Sequence, residues 1–366
     1  MFESELEKYA IELLARLGWS TAYGPDIAPG EPFSERTDWR EAVLEGRLRQ
    51  AVERMNPTLP IDAVHDAVKT VLRPESQVAF TENWRAYQLL VGGVPVEYRA
   101  ADGSVAHDRA WLVDWADLSR NDFLAVNQVT VQGSRERRPD VLCYVNGLPL
   151  GLMELKRPGE LNASVRGAFN QIQTYRGEIP VAFTWNQITV LSDGVQARAA
   201  TFTAPFEHYA PWKTIEGQSL ADPSIPEIET LLRGLFNPSV FLDVVRNFVV
   251  FADEFTGPVK KVAKYHQYWA VRKAVQRTLE AKDADGRAGV VWHTQGSGKS
   301  LTMAFYAGRV VLHPAMQNPT LVVLTDRNDL DEQLFGTFAR CKDLLRQSPE
   351  QAKDRTHLRE LLQVAS

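Results

Sequence analysis

Two groups of residues in this chain have the types and spacing that chemistry at phosphorus requires. The first is Asp140, followed after two apolar runs by Glu154-Leu155-Lys156. Mg²⁺ takes hard oxygen ligands, one or two of them carboxylates, and leaves its remaining positions to water and phosphate. Asp140 and Glu154 suit that role. Lys156 stands two residues after Glu154 on the same apolar run, so in a strand both side chains share one face. The second group is Gly296-Ser297-Gly298-Lys299-Ser300. Glycines there let backbone N–H groups turn toward phosphate oxygens, and a following helix adds the positive end of its dipole. Lys299 would meet the β- and γ-phosphates of ATP, and Ser300 would bind its Mg²⁺.

The first group must be positioned by a hairpin. Residues 140–145 and 150–156 are apolar runs on either side of Asn146-Gly147, a turn dipeptide. Directly opposed residues of antiparallel strands point to the same face. With a two-residue turn and a regular ladder, Asp140 faces Met153 and Glu154 points away. An odd loop, or a bulge, sets Asp140 opposite Glu154, and one of these is expected here. Glu-x-Lys alone is weak, since composition yields roughly one instance in a chain of this length. A second instance, Glu280-Ala281-Lys282, lies in a helical stretch with no strand carboxylate upstream and reads as surface. The bland alternative for Asp140, Glu154 and Lys156 is a salt-bridged hairpin edge.

The second group must be positioned by a strand before it and a helix after it. Residues 289–292 read as a short strand, 299–311 as a helix and 320–325 as another strand, together one βαβ unit. The strict phosphate-loop pattern places Gly five residues before Gly298, where this chain has His293. The alternative reading is a flexible Gly/Ser loop.

Elsewhere, helical patterns cover residues 4–19, 39–54, 61–72, 162–175, 227–247 and 265–282. Strand patterns cover 123–131, 180–185 and 188–191, and 204–226 reads as loop. At 366 residues, two domains are expected, with the boundary near residue 245. The composition, 44% hydrophobic and 24% charged, is that of a globular protein. No apolar run is long enough to span a bilayer and no signal peptide opens the chain, so cytoplasmic residence is expected. The two cysteines, Cys143 and Cys341, lie too far apart in pattern for a zinc site and read as buried thiols. A net charge of −5 leaves any DNA contact to local patches. Ser134-Arg135-Glu136-Arg137-Arg138 is one candidate, with a solvated loop as its alternative.

Pro139-Asp140 with Glu154-Leu155-Lys156 resembles the PD-(D/E)xK nuclease signature. Gln171-Ile172-Gln173-Thr174-Tyr175 resembles the Gln-x-x-x-Tyr motif of one branch of that superfamily. Spacing of four puts Gln171 and Tyr175 on one helical face, and the resemblance implies that they support the site or contact DNA. Residues 292–300, with 321–334 downstream, are similar to the restriction (R) subunit of type I restriction-modification enzymes. That similarity implies an α/β chain, with a restriction-endonuclease-like domain over 1–245 followed by the beginning of a RecA-like P-loop domain over 246–366. It also implies Mg²⁺ and ATP as cofactors, and ATP-driven translocation of double-stranded DNA with cleavage. The implied partners are methylation (M) and specificity (S) subunits. Gln267, in a segment resembling one where such motors read adenine, takes that role by resemblance, and Asp326-Arg327 matches a segment that tracks the DNA backbone. R subunits are far longer, so the resemblance implies an N-terminal part that binds nucleotide weakly without hydrolysing it. The competing expectations are a nuclease-motor subunit of another DNA-processing system, separable by its C-terminal remainder, and an inert DNA- or nucleotide-binding module.

Overall fold

The computed structural model describes residues 3–100, 102–157, 164–254, 257–326, 328–345 and 347–364. It divides into two compact units, Met1–Val245 and Arg246–Ser366.

The first unit opens with α1 (Glu3–Arg16) and the short strand β1 (Ser20–Tyr23), then α2 (Glu45–Met55), α3 (Ile61–Leu72) and α4 (Ala79–Gly92). A hairpin of β2 (Val94–Arg99) and β3 (Val105–Ala110) leads to β4 (Phe123–Asn127), and a ribbon of β5 (Val131–Gln132) and β6 (Glu136–Arg137) follows. Next come β7 (Val141–Val145), β8 (Leu148–Leu155), α5 (Val165–Glu178), β9 (Ile188–Ser192), β10 (Ala197–Ala200), α6 (Glu227–Leu235) and α7 (Pro238–Asn247). Six of the strands form one mixed sheet in the order β1-β4-β7-β8-β9-β10. The pairs β1/β4 and β8/β9 are parallel, and the other three are antiparallel.

Both faces of this sheet are covered. On one, Leu142, Tyr144 and Leu152 pack against Val165, Ala168, Ile172 and Tyr175 of α5. On the other, Trp19 meets the rings of Phe123, Phe236 and Phe241, and the Trp19 indole N–H donates to the Phe236 carbonyl at 2.8 Å. Central strands covered on both faces read as continuous apolar runs, and all of β7 and β8 is buried.

Several elements differ from expectation. Residues 39–44 are not helical, and the helical stretch 227–247 is two helices that break before Pro238. The start expected for α5 at residue 162 lies outside the described residues, and Ser164 caps that helix by accepting the Gly167 N–H at 3.1 Å. Residues 180–185, expected as a strand, begin with a 3-10 turn (Pro180–Phe183). Pro180 cannot donate to a ladder, and the carbonyls of Phe183, Thr184 and Asn186 turn to the side-chain amide of Asn83 on α4, at 2.9, 3.1 and 2.9 Å. Asn83 is fully buried. Asn83→Ala is therefore expected to strand these carbonyls and destabilise the first unit by roughly 3 kcal/mol, read as a lowered urea midpoint with an unchanged m-value. An unaltered midpoint would remove this role from Asn83.

The second unit contains a hairpin of β11 (Val249–Glu254) and β12 (Gly257–Val262), then α8 (Tyr265–Lys282), α9 (Lys299–Val311) and α10 (Asn328–Arg340). Phe248 joins them, with ring centroids 4.9 Å from Tyr268 and 5.4 Å from Phe305. The two strands expected at 289–292 and 320–325 do not form, so the βαβ unit is absent among the described residues. A strand exists through its ladder, and neither segment pairs with another described strand. Their apolar side chains stay in solvent, with Val290 95% and Leu324 85% exposed. Glu280-Ala281-Lys282 lies in α8 with Glu280 paired to Arg277 on the surface. No described helix is long and apolar enough to cross a membrane.

Candidate active site and phosphate loop

Asn146 and Gly147 both adopt positive φ, 53° and 79°, which makes a two-residue hairpin turn whose twist matches the flanking strands. Glycine is required at 147, because a Cβ there would lie 2.4 Å from the Leu44 carbonyl oxygen. The turn pairs Val145 with Leu148 and Tyr144 with Pro149, but the next pair is Cys143 with Gly151. Leu150 is thus the extra residue of a bulge. The ladder runs on to Val141 opposite Met153, and one step further sets Asp140 across from Glu154. Of the two arrangements that could join these carboxylates, the chain uses the bulge.

Both carboxylates are buried, Asp140 at 6% and Glu154 at 1% exposure. Asp140 Oδ2 accepts the Leu155 N–H at 2.6 Å, and Lys156 Nζ donates to Glu154 Oε1 at 2.6 Å. Burial pushes the Asp140 carboxyl well above its ordinary range and the adjacent Glu154 charge pushes it further, against the Leu155 N–H and Lys156. A carboxyl raised in the fold favours folding at low pH and loses that advantage as pH rises through its folded value. Asp140→Asn should therefore raise the melting temperature of the metal-free protein at pH 8, by about 2–4 °C for each kcal/mol of relieved strain. The gain should shrink toward pH 4. A variant no more stable than the parent at pH 8 would contradict the placement of the charge.

The helix that covers this end of the sheet brings Tyr175 to the same place. Tyr175 is buried, its hydroxyl donates to the Arg138 carbonyl at 3.3 Å, and it lies close enough to Glu154 and Gln171 for both to act on its phenol. Burial, then the charges of Glu154 and Asp140, hold its phenol far above the ordinary value. Asp140, Glu154, Lys156, Gln171 and Tyr175 thus meet in one cluster.

Sequence reasoning missed two residues beside it. Glu7 of α1 is 7% exposed, and its charge is among those that raise Asp140. Its Oε2 accepts from Gln128 Nε2 at 2.7 Å, while the Gln128 backbone N–H donates to the Asp140 carbonyl at 3.0 Å. Gln128 has a φ of 60°, unusual for a residue with a side chain. Glu7, Gln128, Asn127 and Tyr23 line a cleft of about 560 Å³. The available signal was that Glu7 falls in line with Ala10 and Leu14, on the buried stripe of α1 rather than its charged face.

No group of three or more His, Cys, Asp or Glu suited to a metal occurs among the described residues. Two adjacent buried carboxylates, one held above its normal pKa, nevertheless match the hard-oxygen share that Mg²⁺ takes from protein.

In the second unit, Gly296 and Gly298 have φ of 77° and 83°, and Gly298 caps α9, which begins with Lys299 and Ser300. Lys299 Nζ folds back onto the carbonyls of His293 and Thr294, both at 3.2 Å. Those bonds involve an exposed cation on its own loop and can be exchanged for phosphate oxygens. A loop of this curvature opening a 13-residue helix has the donor set that a polyphosphate needs. Gln267 is buried beneath it: its Oε1 accepts the Lys264 N–H at 2.9 Å and its Nε2 donates to the Gly298 carbonyl at 3.1 Å. His266 Nε2 lies 3.1 Å from the Ser297 carbonyl oxygen. Asp326 lies at a bend shortly before α10, and Arg327 is outside the described residues.

The class that these two sites define appears in comparisons with known families. Residues 1–208 match the family described as type I restriction enzyme R protein N terminus, and residues 266–366 match the SWI2/SNF2 ATPase family. The chain belongs to the first of these, the type I restriction enzyme R proteins. Over 98% of its length it is 41% identical to the type I restriction enzyme HindI endonuclease subunit of Haemophilus influenzae, covering 35% of that protein. Over 91% it is 32% identical to the putative type I restriction enzyme MjaIXP endonuclease subunit of Methanocaldococcus jannaschii, covering 34%. The chain therefore spans about a third of the length of these curated relatives.

Proposed function

We propose that residues 1–245 are a PD-(D/E)xK nuclease domain that hydrolyses phosphodiester bonds of double-stranded DNA, and that residues 246–366 begin the RecA-like motor domain of the same R subunit. The bulged register that sets Asp140 across from Glu154, with Lys156 just past the end of that strand and bonded to Glu154, carries this reading. Asp140 and Glu154 would hold Mg²⁺, which when bound polarises the scissile phosphate and lowers the pKa of water. Lys156, poised on Glu154, would shift to the phosphate and offset the charge that develops there. Tyr175, with Gln171 beside it, would close the site on the α5 side of Glu154, and Glu7 with Gln128 would limit the freedom of Asp140.

On the same reading Gly296, Ser297 and Gly298 receive ATP phosphates through backbone N–H groups, with Lys299 as their cation and Ser300 as the Mg²⁺ ligand. Gln267 holds the loop at Gly298. In the assembled enzyme this nucleotide site would drive translocation along DNA in the cytoplasm, with methylation (M) and specificity (S) subunits choosing the target. Cleavage by the assembled enzyme tests the proposal: metal-dependent cutting that survives loss of either carboxylate would overturn it.

A further inference from the structure

We propose that the β5–β6 ribbon is a DNA-backbone contact that seats the duplex over the carboxylates, with Arg135 and Arg138 as its phosphate ligands. This rests on the nuclease reading of the site and adds the surface that holds its substrate.

The ribbon is tied down on two sides. The Ser134 N–H and hydroxyl both donate to the Glu178 carbonyl at the end of α5, at 2.9 and 3.3 Å, and the Gln132 N–H donates to the Trp39 carbonyl at 2.9 Å. Arg137 pairs with the Glu178 carboxylate. The approach to α5 is so close that a Cβ at Gly133 would lie 2.0 Å from the Glu178 carbonyl oxygen. Only glycine fits.

Against this fixed backbone, two guanidinium groups face solvent. The Arg135 side chain is 72% exposed, with its Nε 3.6 Å from Glu178. An exposed pair of that length is worth little, so a phosphate can displace it. Arg138 is exposed, and its guanidinium makes no ion pair among the described residues. Its backbone is at the site itself: the carbonyl accepts from Tyr175, and Asp140 follows two residues on, about 7 Å along an extended chain. Glu136 and Glu178 are the acids alongside. Because the whole chain is acidic, its overall field does not draw DNA, and binding falls to fixed local cations. A ribbon ordered before binding loses less entropy when its arginines engage.

The test is binding of a fluorescent DNA duplex to the whole chain in EDTA, followed by anisotropy over a salt series. Arg135→Ala with Arg138→Ala should weaken binding about tenfold at low salt and flatten the plot of log K against log salt by about 2, one per lost phosphate contact. Lysine at both positions should restore the slope, which a merely structural defect would not allow. Affinity and slope equal to wild type in the double Ala variant, in a protein whose cleavage is lost on Asp140→Asn, would overturn the ribbon assignment alone. Undiminished cleavage by Asp140→Asn would overturn the nuclease reading on which it rests.

Discussion

Asp140→Asn or Lys156→Ala in the assembled enzyme is expected to reduce DNA cleavage by on the order of 10²–10³-fold or more, while DNA binding and ATP hydrolysis persist. The magnitude is that of removing one preorganised charge from a site where negative charge develops in the transition state. The two variants should fail differently. Asparagine at 140 removes a metal ligand and relieves the repulsion with Glu154, so it should need more Mg²⁺ for any residual cutting and be thermally more robust. Alanine at 156 leaves both carboxylates in place without their cation, so metal should still bind while turnover falls. Time courses of plasmid linearisation across a Mg²⁺ series would separate them. Wild-type rates in either variant would return Asp140, Glu154 and Lys156 to an ordinary ion-paired hairpin edge.

Lys299→Ala is expected to weaken ATP binding to the chain by on the order of 100-fold, equivalent to about 2.7 kcal/mol and within the cost of truncating one partner of a charge-assisted contact. In the ligand-free loop the ammonium group rests on the carbonyls of His293 and Thr294, contacts worth little at an exposed position, so its removal should barely alter folding. The loss should therefore appear in titrations with a fluorescent ATP analogue and not in the melting temperature without nucleotide. Equal affinity in the variant would mean that the Gly296–Gly298 turn binds no polyphosphate through Lys299.

The sequence made the ends of the argument legible and left its middle obscure. Asn146-Gly147 flanked by apolar runs specified the hairpin, because few dipeptides accept two positive φ values in succession. The helix at 265–282 and the helix at 299–311 were readable from their periodicity and from Gly298, which starts the latter. The bulge could be inferred only from its purpose, since Leu150 is one apolar residue among many. Other elements were hidden because their stability comes from partners distant in sequence. β1 is four residues, Ser-Thr-Ala-Tyr, held by parallel pairing with β4. The 180–185 segment was shaped by Asn83, about 100 positions earlier. Glu7 carried no motif, and only its place on the buried stripe of α1 set it apart. At 289–292 and 320–325 apolar composition suggested strands, but composition supplies no ladder partner.

The two-residue turn and the single extra residue at Leu150 together determine the count between the carboxylates. What opposition of the two acids demands is arithmetic: with 13 residues between Asp140 and Glu154, one residue more than an even turn and its paired strands can use must be stored somewhere. A chain without Leu150 would still pair Cys143 with Gly151 and keep both acids together as a regular hairpin. It would forfeit the bond from the Gln187 N–H to the Leu150 carbonyl at 2.7 Å, where the parallel strand β9 is received. The bulge thus serves the neighbouring strand as much as the acids. A relative that lengthened its turn by one residue and straightened its ladder would preserve the site while giving up that junction.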